Sequence, residues 1–203
     1  MSKYDKEYFF VRKSKATGLP FLVPDANTED RRFRYEAQAV GSPPLVFTNG
    51  WKDKFKAEKI KSTTPDILFA GADMVVRQPI REKLLTLSVP GMSLHPAVYI
   101  DDDGAWHEDY WYVTFTGRLD CWDRENSEYD EDEPPVELGG FQLHQVYTYS
   151  LNEKLLDDIP QDQRLLFKMG GDLNAFVVCH QSLAAILRGN GGSGAELQCV
   201  ADY

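Results

Sequence analysis

Short apolar runs broken by Gly, Pro and Asn dominate the first third of the chain. Tyr8 to Val11, Leu19 to Val23 and Leu45 to Thr48 have the length of strands rather than helices. Asn49-Gly50 marks a turn after the third run. Beyond it Lys52, Lys54, Lys56, Lys59 and Lys61 surround Phe55 and Ile60, a basic stretch expected on an edge or on the exposed face of a helix. From about Thr64 the pattern changes. Pro79 suits the first turn of a helix running to about Leu87, with Leu84, Leu85 and Leu87 facing inward and Pro90-Gly91 ending it. Ala97 to Ile100 and Tyr110 to Phe115 predict two strands flanking an acidic loop, and Leu143 to Tyr149 predicts another. Asn152 is placed to cap a short helix carrying Leu155 and Leu156, which Pro160 stops. Leu165 to Phe167 and Ala175 to Cys179 read as buried strands, Ser182 to Leu187 as a short helix with Gly189 at its C-terminal cap, and Ala195 to Val200 as a closing strand.

No internal period repeats, which argues against solenoids and propellers. The expectation is an α+β fold, with short helices interrupting a mainly antiparallel or mixed sheet and a strand-rich N-terminal part. The change of pattern near residue 61 suggests an N-terminal subdomain over 1–61 and an α+β domain over 62–203, or one continuous domain.

Composition narrows the class. The 203 residues are 42% hydrophobic and 27% charged, which is globular composition. No apolar run approaches the length of a membrane span. The N-terminus lacks the uninterrupted apolar stretch of a secretory signal. Cys121, Cys179 and Cys199 form an odd, sparse set that reads as reduced thiols, so a cytoplasmic location is expected.

Charge changes the picture most. The formal net charge is −10. Residues 1–61 hold 13 basic and 8 acidic side chains, whereas residues 101–140 hold 14 acids against Arg118 and Arg124 alone. Two runs build this excess, Asp101-Asp102-Asp103 and Glu128 to Glu133, the second followed by Pro134-Pro135 and therefore a solvated loop. Left at that, the segment is a solubility loop. Aromatic residues threaded through it favour a contact surface for a basic protein, with charge steering the encounter and rings anchoring it. The candidate partner-binding residues are Asp101, Asp102, Asp103, Trp106, Glu108, Asp109, Trp122, Glu125, Glu128, Tyr129, Asp130, Glu131, Asp132 and Glu133. Such an acidic surface argues against direct binding of nucleic acid or membrane.

Catalytic patterns are weak. Gly189-Asn190-Gly191-Gly192-Ser193-Gly194 fits the spacing of a dinucleotide loop, yet follows an expected helix and precedes a strand, the reverse of the required order. A calcium loop beginning at Asp101 would place Trp106 where glycine is needed. Cys179 and His180 are neighbours whose side chains leave a strand on opposite faces, a poor dyad, while His144 could approach Cys179 only through the fold. His95, His107, His144 and His180 show no zinc spacing with the cysteines. The reading calls for no catalytic residue, cofactor or metal.

An ordered set of short tracts adds a resemblance. They are the helix around Pro79 to Leu87, Tyr112-Val113 through Leu119-Asp120-Cys121-Trp122-Asp123 to Ser127, Leu151 to Leu156 before Arg164 to Lys168, Val177-Val178-Cys179 leading into Ser182 to Leu187, and Glu196 to Tyr203. Over about residues 65–203 the chain resembles the eleventh numbered family of bacterial polymorphic-toxin immunity proteins. The resemblance implies a small α+β protein, encoded beside a toxin, that binds that toxin and protects the producing cell. Asp123 and Ser127 fall where an Asp and a Ser tend to recur in that family. Side-chain oxygens there suit a turn or a cap that supports the acidic loop. The reading is therefore an inhibitor of a cognate toxin, with a nuclease fitting the charge best. An acidic regulatory or nucleic-acid-mimicking protein, and a small cytosolic enzyme using Cys179, His144 or the acidic cluster, stand as alternatives.

Overall fold

Alternation along the strands decides how the layers stack. In the computed structural model, which describes residues 2–138, 140–188 and 192–203, the chain opens with β1 (Tyr8–Lys13), β2 (Leu22–Pro24), α1 (Ala26–Glu29) and β3 (Leu45–Asn49). It continues through α2 (Lys52–Glu58), β4 (Ile67–Ala70), β5 (Asp73–Arg77), α3 (Gln78–Leu84), β6 (Met92–Ile100) and β7 (Trp106–Phe115). Four short strands follow: β8 (Glu128–Tyr129), β9 (Val136–Leu138), β10 (Phe141–Leu143) and β11 (Val146–Thr148). Then come α4 (Glu153–Asp157), β12 (Leu166–Lys168), β13 (Val177–His180), α5 (Ala184–Arg188) and β14 (Ala195–Cys199).

A six-stranded sheet has the order β2-β3-β6-β7-β5-β4, and a four-stranded sheet the order β12-β13-β1-β14. Pairing is antiparallel except for β3 and β6, which run parallel with Leu45 opposite Ala97 and Thr48 opposite Ile100. The fold is α+β with mixed and antiparallel sheets. Val11, Leu166, Val177 and Cys179 of the smaller sheet meet Ile67, Phe69, Met74, Val76, Val113 and Phe115 of the larger one, and α3 and α5 close this core with Ile80, Leu84 and Leu187. Odd and even positions of a strand face opposite ways. Tyr8, Phe10, Phe167 and Val178 therefore look outward from the smaller sheet, where Cys121, Trp122, Val146, Tyr149, Leu151 and Leu156 cover them. On the far face of the larger sheet Leu68, Val75, Tyr99, Tyr110 and Tyr112 pack with Leu22, Phe33 and Phe47.

The first 61 residues supply strands to both sheets. β1 lies between β13 and β14 in the smaller sheet. The buried Asp5 accepts hydrogen bonds from the backbone N–H of Leu151 at 2.7 Å and the Ser150 hydroxyl at 3.1 Å. The boundary drawn at residue 61 from the sequence corresponds to no break in either sheet.

Several expectations shift. The helix begun by Pro79 ends at Leu84, and its inward stripe is Ile80 and Leu84, four residues apart. Leu85, expected to face inward, is 55% exposed. The single strand expected over Leu143 to Tyr149 is two strands, because the His144 N–H bonds to the Gly171 carbonyl while the Gln145 carbonyl turns to the Asp130 N–H. The hairpin β4–β5 was not foreseen. All its residues but Arg77 are buried, so it lacks the period-two pattern of a half-exposed strand. Asn152 does cap its helix, accepting the Leu155 N–H at 3.0 Å.

One buried polar cluster ties the two sheets together. Asp73 on β5 takes the Tyr112 hydroxyl hydrogen bond at 2.6 Å on one oxygen and pairs with the Lys168 ammonium of β12 through the other. Asp73 and Lys168 are both buried. Burial, followed by the Asp73 charge, holds the Tyr112 phenol well above its ordinary pKa.

Candidate functional site

The two acidic runs lie on different layers. Asp101-Asp102-Asp103 forms the turn between β6 and β7, and much of its charge is used locally. One Asp101 oxygen accepts the backbone N–H of Asp103 at 3.0 Å and of Ala105 at 2.9 Å, and the other pairs with His107 Nε2 at 2.9 Å. Burial works to raise the Asp101 carboxyl, and these bonds outweigh it, holding the group below the usual carboxylate range. Both Asp102 oxygens accept the Asn49 side-chain N–H at 3.1 Å. Across a cleft of about 380 Å³ stand Lys52, Lys56 and Lys61. The first run therefore faces cations of its own chain. Asp103, Trp106 and Glu108 remain exposed there, Trp106 by 61%, while Asp109 pairs with Arg77 at 3.3 Å.

The second run belongs to the layer outside the smaller sheet. β8 pairs with β11, and β9 with β10 in a separate two-stranded hairpin. Glu125, Glu128, Glu131, Asp132 and Glu133 are exposed. Asp130 is half-buried and folds the turn, one oxygen accepting the backbone N–H of Asp132 and Glu133 at 3.3 and 3.2 Å. The support expected of Asp123 and Ser127 is present. Asp123 accepts the Glu125 N–H and the Asn126 side-chain N–H, each at 2.9 Å, and the Ser127 hydroxyl accepts the Ser150 N–H at 2.9 Å. The Asn126 bond first, with the Glu125 N–H, holds the Asp123 carboxyl below its ordinary pKa.

Of the three rings chosen on sequence, Trp106 is exposed and the other two are not. Trp122 is 1% exposed and packed in the core beneath the loop, so it offers no face to a partner. Its place follows from Asp123 N–H bonding to Ser150 at 2.7 Å and Trp122 bridging to Leu151, which draw this segment onto the smaller sheet. Tyr129 is half-buried, its ring against Trp122 at 5.0 Å and His144 at 5.4 Å. Apolar groups of this layer that reach solvent include Val136 and Leu138 of β9 and Tyr147 of β11, each about half exposed. Sequence reading missed them because it searched for aromatics among acids. The signal was present in Pro134-Pro135 followed by Val136-Glu137-Leu138, where alternation puts two apolar groups on one side of a strand.

The base of the hairpin is held by a bridge between His144 and Asp172. Asp172 is fully buried, and burial pushes its carboxyl pKa up despite hydrogen bonds from Asn174. A raised folded pKa contributes stability that is complete below the unfolded value and is lost as pH rises through the folded one. Asp172→Asn should therefore gain stability relative to wild type as pH rises from 4 to 7. Urea unfolding at several pH values checks this, and a difference independent of pH would contradict it.

The cysteine and histidines weighed for catalysis are kept apart by the fold. Cys179 lies in the core between the sheets, whereas His144 packs with Trp122 on the outer side of the smaller sheet. Burial pushes the Cys179 thiol up to about 12. Cys179 and His180 do face opposite ways, His180 packing on Tyr8. The glycine-rich tract joins α5 to β14, helix to strand, with Gly189, Asn190 and Gly191 outside the described residues. Gly194 is confined by its neighbours, since a Cβ would meet the Ile67 carbonyl oxygen at 2.1 Å and its φ is +81°. Among the described residues no group of His, Cys, Asp and Glu is arranged to hold a metal, and no helix is long and apolar enough to cross a membrane.

The sequence matches the immunity protein family Imm11 over residues 12–202. The chain belongs to that family. The match reaches well upstream of the tract from residue 65 on which the resemblance rested, and so takes in β2, β3 and the last two residues of β1. Imm11 membership supports an immunity role and implies a toxin as partner. No curated protein matches the chain.

Proposed function

We propose that this Imm11 protein neutralises its toxin by binding rather than by catalysis, laying the segment from Glu125 to Leu138 against a basic surface of a toxin that acts in the cytosol. The observation that carries this reading is the coincidence, on one segment, of six exposed carboxylates with the exposed side chains of Val136 and Leu138. Charge at the rim steers encounter and apolar groups provide the desolvated centre. Asp103, Trp106 and Glu108 form a second, smaller contact. Asp101, Asp102 and Asp109 act through their field, since their oxygens are engaged within the chain. A nuclease fits best, because an enzyme that grips phosphate presents the cationic cleft such a surface complements.

The test is association kinetics with the toxin encoded beside this protein. Replacing Glu125, Glu128, Glu131, Asp132 and Glu133 by their amides should slow association by about tenfold or more at low ionic strength and flatten its salt dependence, leaving dissociation little changed. Unchanged association and unchanged salt dependence would refute the assignment.

A further inference from the structure

An apolar hollow of about 310 Å³ lies where the end of β7 meets β12. Phe115, Leu119, Ile159, Leu166 and Phe167 supply its walls, together with Arg118 and Lys168, and none of its lining residues is acidic. The two cations are not equivalent. The Lys168 ammonium is committed to Asp73. Arg118 has no carboxylate within 4 Å among the described residues, and its Nη1 is buried without a hydrogen-bond partner. Its guanidinium lies over two ring faces, at 4.9 Å from Phe141 and 5.9 Å from Tyr35. Arg124, in the same acid-rich segment, is held by Asp120 at 2.7 Å. Arg118 is thus a guanidinium left without a counterion in the part of the chain richest in carboxylates.

A partly desolvated guanidinium favours a planar anion that takes two N–H groups at once, which is a carboxylate. Walls of Phe, Leu and Ile favour hydrocarbon behind it, and the volume is at the small end of ligand pockets. We propose that this hollow binds a carboxylate carried on an apolar body, with Arg118 receiving the carboxylate and Leu119 and Ile159 receiving the hydrocarbon. The inference does not rest on toxin binding and would stand if the acidic segment had no partner.

Calorimetric titration of the full chain tests it with four probes at constant ionic strength: octanoate, octylammonium, and the peptide acetyl-Gly-Val-Leu with a free or an amidated C-terminus. Saturable binding of octanoate or of the free-acid peptide at one site per chain is expected, without binding of octylammonium or the amide. Octanoate binding alone assigns the site to small free carboxylates, and peptide binding alone assigns it to chain termini. Arg118→Gln should weaken binding about tenfold or more. Ile159→Trp, which fills the hollow while keeping the arginine, should abolish it even if Arg118→Gln proves unstable. Failure of both carboxylates to bind, equal binding of octanoate and octylammonium, or indifference to both substitutions would overturn the proposal.

Discussion

Trp122→Ala is expected to cost about 3–5 kcal/mol of folding stability, the range for removing a large buried aromatic. The indole is 1% exposed and touches Tyr129, His144 and the Arg124 guanidinium, the last at 3.7 Å from its ring. Its Nε1 is buried without a partner among the described residues, so Trp122→Phe removes an orphaned donor along with some volume and should cost clearly less than alanine. Trp106→Ala, at a ring 61% exposed, should change stability by no more than about 0.5 kcal/mol. Urea denaturation of the three variants measures the contrast. Equal effects of the two alanine substitutions would mean that Trp122 is not the core residue described here.

Lys168→Ala should be as damaging, at about 3–5 kcal/mol, because it leaves the buried Asp73 carboxylate without its cation. Replacing both partners should cost much less than the sum of the single changes. In Lys168→Met with Asp73→Asn the stem volume is kept, and the amide oxygen can still accept the Tyr112 hydroxyl. A double-mutant cycle on unfolding free energies reads this coupling directly. Additive effects would show that the pair does not join the sheets energetically.

Much of the architecture was legible because local rules and tertiary packing agreed. Each short apolar run of the N-terminal third became a strand, Asn152 became a cap, and Asp123 and Ser127 became the turn that supports the acidic loop. Legibility failed where both faces of an element are covered. Ile67 to Val76 reads as unpatterned apolar sequence because the two sides of β4 and β5 meet different cores, one with Phe69 and Val76 and the other with Leu68 and Val75. Charge counting found the acidic segment but not its surroundings. That Lys52, Lys56 and Lys61 would stand opposite Asp101 to Asp103 depends on the parallel pairing of β3 with β6, a contact between residues about 50 positions apart in the chain. The burial of Trp122 was not legible, since a Trp beside Cys121 and before Asp123 carries no local mark of it. Val136 and Leu138 were under-read for the converse reason.

The central claim is that the acidic segment and its apolar tip form the toxin-facing surface, and side-chain footprinting of the complex tests it most directly. Hydroxyl-radical labelling of the free protein should modify Trp106, Val136, Leu138 and Tyr147, all of which are exposed. In the complex with the toxin encoded beside this protein, labelling of Val136 and Leu138 should fall to near background while Leu85, exposed just after α3, stays as reactive as before. Undiminished labelling of Val136 and Leu138, with protection appearing at Leu85 or elsewhere outside the acidic segment, would contradict the account.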